Sequence, residues 1–451
     1  MPPKPQHKDI RAYALDILAR IENGMAYSNV LLSHAAKDPT IGKAQFPLLE
    51  RLVKGTLEQR LVIEAALDAH LPKGLSSLPS PVQDILRLGA YQVLFLDNIP
   101  KQVSVDVMVE ICKKSKLSGF TKLTNAVLRR VAQNQVPKPV AADQKSATDL
   151  STAYSHPLWL TEIYVRKLGI EEAAVLCKAN NNPAPLCVRT NVLKISRAEL
   201  MGKFASEGIE TTVTKFSPEC LLLTKLPSAK RLHELEAISD GLCIIQDEAS
   251  ALVSLLLNPQ PGEFVVDLCS APGGKTTHIA SLMQNQGRVL AVESNESKLA
   301  LVLDNCERLG VRIVETAHAD GRSLGLHHPA DRILVDAPCS ALGIVGKRAD
   351  VRWSKEPAQF EPLAVLQAEL LHAAANLLRL GGRIVYSTCT ITDEENEQII
   401  DRFLETHQDF VLVPASAHLA AELITPRGFL RTWPQRHGMA GGFAAAVERR
   451  S

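Results

Sequence analysis

The sequence has no long apolar run. None of its stretches approaches the roughly 20 apolar residues that cross a bilayer. Its first residues, Met1-Pro2-Pro3-Lys4, lack the apolar core of a signal peptide. We therefore expect a cytoplasmic protein with no membrane partner.

Paired cysteines are also absent. The nine cysteines are scattered singly, and no C-x-x-C pair is present that could bind zinc or form a redox disulfide. Reduced thiols and no bound metal are expected.

The chain has almost no net charge, +1 at pH 7, but its charges are unevenly divided. Residues 1–140 contain 19 Lys and Arg against 12 Asp and Glu, and the remainder contains 31 against 37. A basic front portion suits a polyanion such as nucleic acid, although a solvated surface with a mild excess is the commoner explanation. Charge alone does not decide between them.

The length of 451 residues predicts two to four domains at roughly 100–200 residues each. Apolar residues at helical spacing from Asp9 to about Gln133 predict an all-α domain. Short β-type runs between helices then predict a small α/β domain, and a strict alternation of strands and helices from Glu248 predicts a doubly wound, Rossmann-like sheet. The predicted parts are a helical domain 1–135, a linker 136–150, a small α/β domain 151–247 and a sheet domain 248–451.

The sheet domain is predicted to be mostly parallel, with its ligand site at the carboxyl ends of the strands. Its strands are predicted at Phe264–Leu268, Arg288–Val292, Ile313–Ala317, Ile333–Asp336 and Arg383–Ser387, and its helices at Lys275–Met283, Ser297–Leu309 and Pro362–Leu380.

A glycine turn follows the first of these strands and leads into a helix, so backbone N–H groups and the helix dipole point at an anionic group. A phosphate loop would need glycine at position 269, where the chain has Cys269, and the G-x-G-x-x-G spacing of dinucleotide sites also fails. S-adenosylmethionine (SAM), which carries a carboxylate and a nucleoside, is the natural remaining occupant. The competing interpretation is a turn that only connects strand to helix. The predicted SAM-binding residues of the turn are Cys269, Ser270, Ala271, Pro272, Gly273, Gly274 and Lys275.

Two acidic residues follow the next strands. Glu293 ends the second strand, where an acid can accept hydrogen bonds from both ribose hydroxyls. Asp320 comes after the third strand, where it can accept a hydrogen bond from the adenine amino group. Each alone is more often a polar strand end. Together, on consecutive strands, they favour cofactor binding.

Two cysteine motifs follow later strands, Asp336-Ala337-Pro338-Cys339-Ser340 and Ser387-Thr388-Cys389-Thr390-Ile391. A lone buried cysteine is usually inert packing. Here both thiols are predicted at strand ends beside an acid and Lys275, which favours a nucleophile. Asp336 is also assigned to the cofactor site.

The three motifs resemble those of the RNA cytosine-5 methyltransferases, and nearly the whole chain resembles the Sun or Fmu family of bacterial small-subunit ribosomal RNA methyltransferases B. The front portion is similar to the RNA-binding factor NusB through Lys54-Gly55-Thr56-Leu57 and Asn125-Ala126-Val127-Leu128-Arg129. Ser155-His156-Pro157 and Arg189-Thr190-Asn191 match the ferredoxin-like or RRM-like middle domain, which in relatives packs on the catalytic domain and touches RNA.

The resemblance implies that the protein transfers a methyl group from SAM to carbon 5 of a cytosine in 16S ribosomal RNA. The reaction would pass through a covalent cysteine–RNA intermediate. It implies that Cys389 attacks carbon 6 and that Cys339 assists proton removal and enzyme release. Asp336 would hydrogen-bond the base, and Lys275 would lower the thiol pKa or orient the base. DNA cytosine methyltransferases use the Pro-Cys thiol instead, so Cys339 is the rival nucleophile.

Two alternatives remain at this stage: a transfer-RNA cytosine-5 methyltransferase, and a catalytically silent RNA-binding assembly factor that retains SAM. Ribosomal RNA is the expected partner, and a monomer is expected. The chain departs from the family pattern at Gly346-Lys347-Arg348-Ala349-Asp350, where the rigid turn is in doubt, and at Ala440-Gly441-Gly442-Phe443-Ala444. The second segment is predicted on a strand remote from the thiols, where the change affects RNA or packing contacts rather than chemistry.

Overall fold

A computed structural model describes residues 9–24, 27–42, 44–133, 145–227 and 234–450. Its contacts divide the chain into two compact units. The helical unit comprises the described residues up to Asn182 together with Val345–Glu356, and the sheet unit comprises Pro183–Ile344 and the described residues from Pro357 onward. Within the described residues, no helix is long and apolar enough to cross a membrane.

The helical unit packs around the long helix Ser80–Phe95, and two glycines, Gly89 in this helix and Gly55 in Phe46–Glu58, let neighbouring elements approach closely. A Cβ on Gly89 would lie 2.6 Å from a methyl carbon of Leu128, and one on Gly55 would lie 2.0 Å from the Tyr91 hydroxyl oxygen. The apolar stripes read from the sequence therefore form one buried core. The helices are α1 Ile10–Glu22, α2 Ser28–Lys37, α3 Phe46–Glu58, α4 Arg60–Asp68, α5 Ser80–Phe95, α6 Lys101–Lys114, α7 Thr121–Gln133, α8 Ala147–Tyr154, α9 Leu158–Leu168 and α10 Ile170–Asn181.

The predicted linker 136–150 lies outside the described residues as far as position 144, and α8 begins at Ala147. The contacts group α8–α10 with the helical unit.

The sheet unit contains a small antiparallel sheet in the order β2-β3-β1-β4, which confirms the predicted small α/β fold. One face of this sheet packs on α11 and forms its own core, which includes Val188, Phe204 and Leu221. The elements are β1 Leu186–Thr190, α11 Arg197–Ser206, β2 Glu210–Val213, β3 Cys220–Lys225, α12 Glu236–Ser239 and β4 Cys243–Ile245.

The large sheet runs in the order β10-β12-β9-β8-β5-β6-β7, and β11 pairs with β12. Its five predicted strands are all present and parallel, with β5 central, which confirms the Rossmann-like fold. Antiparallel strands at the carboxyl end of the chain make the sheet mixed. Its elements are α13 Glu248–Leu257, β5 Phe264–Asp267, α14 Gly274–Leu282, β6 Arg288–Glu293, α15 Glu296–Leu309, β7 Val314–His318, β8 Ala330–Asp336, α17 Phe360–Leu377, β9 Leu378–Thr388, α18 Glu397–Thr406, β10 Phe410–Val413, β11 Leu430–Thr432, α19 Pro434–His437 and β12 Gly442–Arg449, while α16 Val351–Ser354 belongs to the helical unit.

The segment Val345–Glu356 is embedded in the helical unit. The Arg352 side chain is fully buried and donates to the carbonyls of Ser155 (3.1 Å) and Asn180 (3.3 Å) and to the Asn181 side chain (2.9 Å). Trp353 Nε1 donates to the carbonyl of Leu57 at 2.7 Å. The chain thus leaves the sheet unit after Ile344, contributes to the helical core and returns at Pro357.

Asp350, in the segment where the rigid turn was in doubt, is likewise fully buried and accepts a hydrogen bond from the Ser28 hydroxyl. Arg348 lies with its guanidinium carbon 3.8 Å from the centre of the Tyr27 ring. The segment that departs from the family pattern therefore contacts residues of the helical unit through Arg348 and Asp350.

Candidate active site

In the glycine turn between β5 and α14, the backbone of a neighbouring helix lies very close to Gly273. Gly273 has φ +97°, and a Cβ there would come within 3.1 Å of the Val302 backbone, so the position requires glycine. Ser270 holds the turn to β6, since its backbone N–H and its hydroxyl both donate to the Val292 carbonyl, at 3.0 and 3.1 Å. The helix that follows presents first-turn N–H groups without intrahelical acceptors, which suits the carboxylate of SAM.

The two carboxylates predicted to bind the ribose and the adenine of SAM differ in their surroundings. Glu293 is 9% exposed at the end of β6, and its Oε1 accepts the Asn295 N–H at 3.0 Å. Asp320 lies more exposed, and Arg322 donates to both of its carboxylate oxygens at 2.6–3.1 Å. Hydrogen bonds from Arg322 lower the pKa of Asp320. Both carboxylates therefore follow the strands at which they were predicted.

Lys275 and Asp336 form an ion pair at the carboxyl edge of the sheet. Lys275 Nζ lies 2.7 Å from Asp336 Oδ2, and the Ser387 hydroxyl donates to Asp336 Oδ1 at 2.7 Å. Burial opposes the charge of Lys275, but the neighbouring Asp336 outweighs it and raises the pKa of the ammonium group. The site thus holds a fixed cation beside a carboxylate whose two oxygens are oriented.

The two thiols of the cysteine motifs meet. Cys339 Sγ and Cys389 Sγ are 3.3 Å apart, although 50 residues separate them in the chain. The hydrogen bond with Cys389, burial and the charges of Cys389 and Glu395 raise the pKa of Cys339 well above its usual value. The charge of Cys389 also contributes to the raised pKa of Lys275, so this thiol lies within electrostatic reach of the ammonium group. The two thiols therefore lie in hydrogen-bond contact at the edge of the sheet that also holds the Lys275–Asp336 pair.

Glu395 was missed by the sequence interpretation. It is fully buried, its Oε2 accepts the Ser340 N–H at 2.8 Å and the Gln367 amide at 3.0 Å, and its Oε1 accepts the Thr392 hydroxyl at 2.9 Å. It therefore fixes the backbone directly after Cys339. The spacing Thr392-x-x-Glu395, a capping-box pattern, was the available signal.

The segment 440–444 was predicted on a strand remote from the thiols, and that prediction is wrong. The N–H of Gly441 donates to the Gly343 carbonyl, and the N–H of Gly343 donates to the Cys389 carbonyl, both at 2.9 Å. Phe443 pairs with Thr388 in the register of β12 with β9. The error has a simple cause, because β12 returns beside β9 from a distant part of the chain.

Cys269, Ala271 and Pro272 lie in the glycine turn as predicted. Burial and the surrounding carboxylates raise the pKa of Cys269, so its thiol stays protonated. Among the described residues, no group of three or more His, Cys, Asp or Glu side chains could hold a metal ion.

Three family models match consecutive parts of the chain. The NusB family matches residues 8–133, the RsmF/B-like ferredoxin-like domain matches 156–229, and the 16S rRNA methyltransferase RsmB/F model matches 254–448. The third match contains the glycine turn, the Lys275–Asp336 pair and both thiols.

Similar proteins cover nearly the full chain. A probable ribosomal RNA small subunit methyltransferase B from Bacillus subtilis is 33% identical over 98% of this chain and 99% of its own length, and the ribosomal RNA small subunit methyltransferase B of Klebsiella pneumoniae (strain MGH 78578) is 32% identical over 89% and 90%. The crystal structure of PH0851 superposes with a TM-score of 0.82 at 28% identity, covering 99% of this chain and all of that one. The structure of NSun6 from Pyrococcus horikoshii with SFG gives 0.59 at 26% identity, over 65% of this chain and 98% of that one. The chain therefore belongs to the RsmB/F family of 16S rRNA methyltransferases, with a NusB-type helical domain and a ferredoxin-like middle domain.

Proposed function

We propose that the protein transfers a methyl group from SAM to carbon 5 of a cytosine in 16S ribosomal RNA, through a covalent bond between Cys389 and the base. The observation that carries the proposal is the contact of the two thiols, 3.3 Å apart at the strand ends that also hold the Lys275–Asp336 pair. Two thiols beside an oriented acid suit a reaction that must activate a weakly nucleophilic carbon and then release the product.

Cys389 is the proposed nucleophile. The Lys275 ammonium favours its thiolate, and the Cys339 S–H can donate a hydrogen bond to it. Attack on carbon 6 converts the ring to an enamine whose carbon 5 is nucleophilic. Asp336, aligned by Lys275 and Ser387, would accept a hydrogen bond from the amino group of the base and stabilise the adduct.

Cys339 is the proposed base for the final step. The hydrogen bond with Cys389 and burial raise the pKa of Cys339, and the charge of Cys389 raises it further; that charge disappears once Cys389 is bonded to carbon 6. Deprotonation of Cys339 then becomes easier at the stage where a base is needed. After its own proton has passed to water, the Cys339 thiolate would take the carbon-5 proton; the bond between carbon 6 and Cys389 would then break, its electron pair leaving with the Cys389 sulfur as a thiolate, and the aromatic ring would be restored.

The residues present fit SAM, which when bound would supply an electrophilic methyl group. The proposed SAM-binding residues are those predicted, with the methionine end at Gly273-Gly274 and the ribose at Glu293. Support comes from the obligatory glycine at 273, whose Cβ space is filled by Val302, and from the position of Glu293 at the end of the adjacent strand.

The division of labour between the thiols can be tested on a denaturing gel with labelled RNA and SAM. Cys389→Ala should form no adduct and show no activity, whereas Cys339→Ala should accumulate enzyme bonded to methylated RNA. Cys177→Ala, which removes a buried thiol of the helical unit, is the matched control and should behave as wild type. The reverse pattern would make Cys339 the nucleophile, and no shifted band in either variant would remove the release role of Cys339.

The substrate can be identified by bisulfite sequencing of ribosomal and transfer RNA from cells with and without the protein. We expect one 16S cytosine to lose methylation and to regain it with the wild-type gene but not with Cys389→Ala. Loss at transfer-RNA positions instead would support the transfer-RNA alternative. Unchanged methylation in both RNAs would overturn the proposed reaction in favour of a silent assembly factor.

A further inference from the structure

Arg189 of the middle domain has no role in the proposed chemistry, yet its side chain reaches the candidate SAM site. It lies in β1 and is only 2% exposed. Its Nη1 donates to the Gly274 carbonyl at 2.7 Å and to the Gln246 side chain, and its Nη2 donates to the Thr277 hydroxyl at 3.2 Å. A residue 85 positions upstream thus binds the first residue of α14.

A buried guanidinium is costly, because removing it from water loses several kcal/mol of solvation. Burial lowers the pKa of Arg189 to about 10, which leaves it charged at neutral pH, and Glu219 supplies a nearby negative charge. His278 Nε2 lies 2.9 Å from the Glu219 carboxylate, and burial lowers the pKa of His278 to about 4, so the imidazole is neutral. The arrangement therefore keeps one cation beside the start of α14.

Asn191, two residues after Arg189, also anchors the small sheet. The side-chain amide of Asn191 donates to the carbonyls of Gly241 (2.8 Å) and Leu309 (2.7 Å). Leu309 is the last residue of α15, so the small sheet is fastened to the two helices that follow the glycine turn.

The geometry of the peptide bond determines where the N–H next to the Gly274 carbonyl points. In a planar trans peptide the C=O and the following N–H point in opposite directions. With the Gly274 carbonyl held by Arg189, the N–H of Lys275 points away from Arg189 toward the open end of the helix. The same contact places a positive charge near a helix N-terminus, which is unfavourable until an anion binds there.

We propose that Arg189 is a positioning residue for SAM: by holding the Gly274 carbonyl it aims the first N–H groups of α14 at the carboxylate of the methionine end, and its charge adds to the potential that this carboxylate meets. The inference rests on the proposed function. It assigns to the middle domain a part in cofactor binding, in addition to any contact with RNA.

Calorimetry with SAM and the full-length protein tests the proposal. Arg189→Met should raise the Kd for SAM at least tenfold, and Arg189→Lys, which keeps the charge but loses the fork of donors, should raise it about threefold. Arg197→Met is the matched control in the same domain, since Arg197 donates to Ser217 away from the turn, and its Kd should stay within twofold of wild type. In turnover assays the Arg189 variants should raise KM for SAM more than they lower kcat at saturating SAM.

The outcomes separate this proposal from the one on which it rests. A wild-type protein that binds no SAM would refute the proposed function. A wild type that binds SAM, with an Arg189→Met protein that is folded and binds it within twofold as tightly, would overturn the positioning role alone. If Arg189→Met does not fold, Arg189→Lys serves as the test. A folded Arg189→Lys protein with the same Kd for SAM as wild type would also overturn the positioning role.

Discussion

Asp267 is a buried carboxyl whose protonation the fold controls. Its carboxyl is buried at the end of β5, and Thr276 donates to it at 2.7 Å. Burial, together with the charge of Asp336, raises the pKa of Asp267 to about 7. The folded protein therefore binds a proton there that the unfolded chain releases near pH 4.

This difference predicts a specific dependence of stability on pH. Because the folded-state pKa is raised, the stabilisation is present below about pH 4 and is lost as the pH rises toward about 7, at up to about 1.4 kcal/mol per pH unit. Asp267→Asn, which keeps an acceptor for Thr276 but does not titrate, should remove this contribution. Denaturant unfolding of both proteins from pH 4 to 8 gives the difference, and a difference independent of pH would contradict the prediction.

Glu293 carries a second prediction at this scale. Glu293→Ala removes a nearly buried carboxylate from the end of β6 and should weaken SAM binding about tenfold, or about 1.4 kcal/mol, the size of a lost hydrogen bond to a charged group. Glu315→Ala is the control, since this exposed residue of β7 pairs with Arg288. Equal affinities by calorimetry for wild type and Glu293→Ala would remove Glu293 from the site.

The sequence was informative about residues that follow predicted strands. Lys275, Asp336, Cys339 and Cys389 were predicted to converge because the carboxyl ends of parallel strands share one edge of a sheet, and they do converge. Glu395 could not be assigned in this way, because its function depends on a backbone N–H at Ser340, 55 residues earlier.

Three backbone segments meet at Gly343. A Cβ there would lie 2.1 Å from the Gly441 carbonyl oxygen and 2.8 Å from that of Cys389. Only glycine lets the loop after Cys339 pass between the ends of β9 and β12. The strands were predictable from their apolar runs, but the pairing of β12 with β9 was not, since no local pattern specifies which distant strand a segment joins.

Gly343→Ala should consequently displace the Cys389 backbone. We expect a loss of activity of about a hundredfold, because displacements near 1 Å at reacting groups have effects of that size, and a lower Tm. Gly202→Ala is the control: nothing lies within 4 Å of the added methyl group, and helix α11 should gain up to about 1 kcal/mol. Activity of Gly343→Ala near that of wild type would show that the crossing can relax.

The helical unit depends for its stability on residues from a distant part of the sequence. Arg352→Met in the full chain would leave the carbonyls of Ser155 and Asn180 without this donor and should destabilise the unit by about 2–3 kcal/mol. Hydrogen exchange in α8–α10 should accelerate. Arg288→Met, on the half-exposed Arg288 of the sheet unit, should leave those helices unchanged, and equal protection in both variants would contradict the prediction.

RNA binding by the helical domain remains a prediction from the basic excess and the NusB resemblance. Three exposed lysines lie in the last turn of α6, in the connection that follows it and in the first turn of α7: Lys113, Lys116 and Lys122. Replacing all three by Glu in the full chain should weaken RNA binding at low salt at least tenfold and flatten its salt dependence, through fewer released counterions. The exposed Lys298 provides a control charge reversal in the sheet unit, and an unchanged salt slope for the triple variant would place the RNA elsewhere.

The buried position of Arg352 also determines when the protein can finish folding. Synthesis delivers α10 roughly 175 residues before Glu356, an interval of about 10–35 s at about 5–20 residues per second. During that time Arg352 cannot yet donate to the carbonyls of Ser155 and Asn180, and Asp350 cannot yet accept a hydrogen bond from the Ser28 hydroxyl. The helical unit, most of which is synthesised first, is therefore completed only after β8 and Cys339 have been made, and a chain that stops before Val345 lacks part of the helical core.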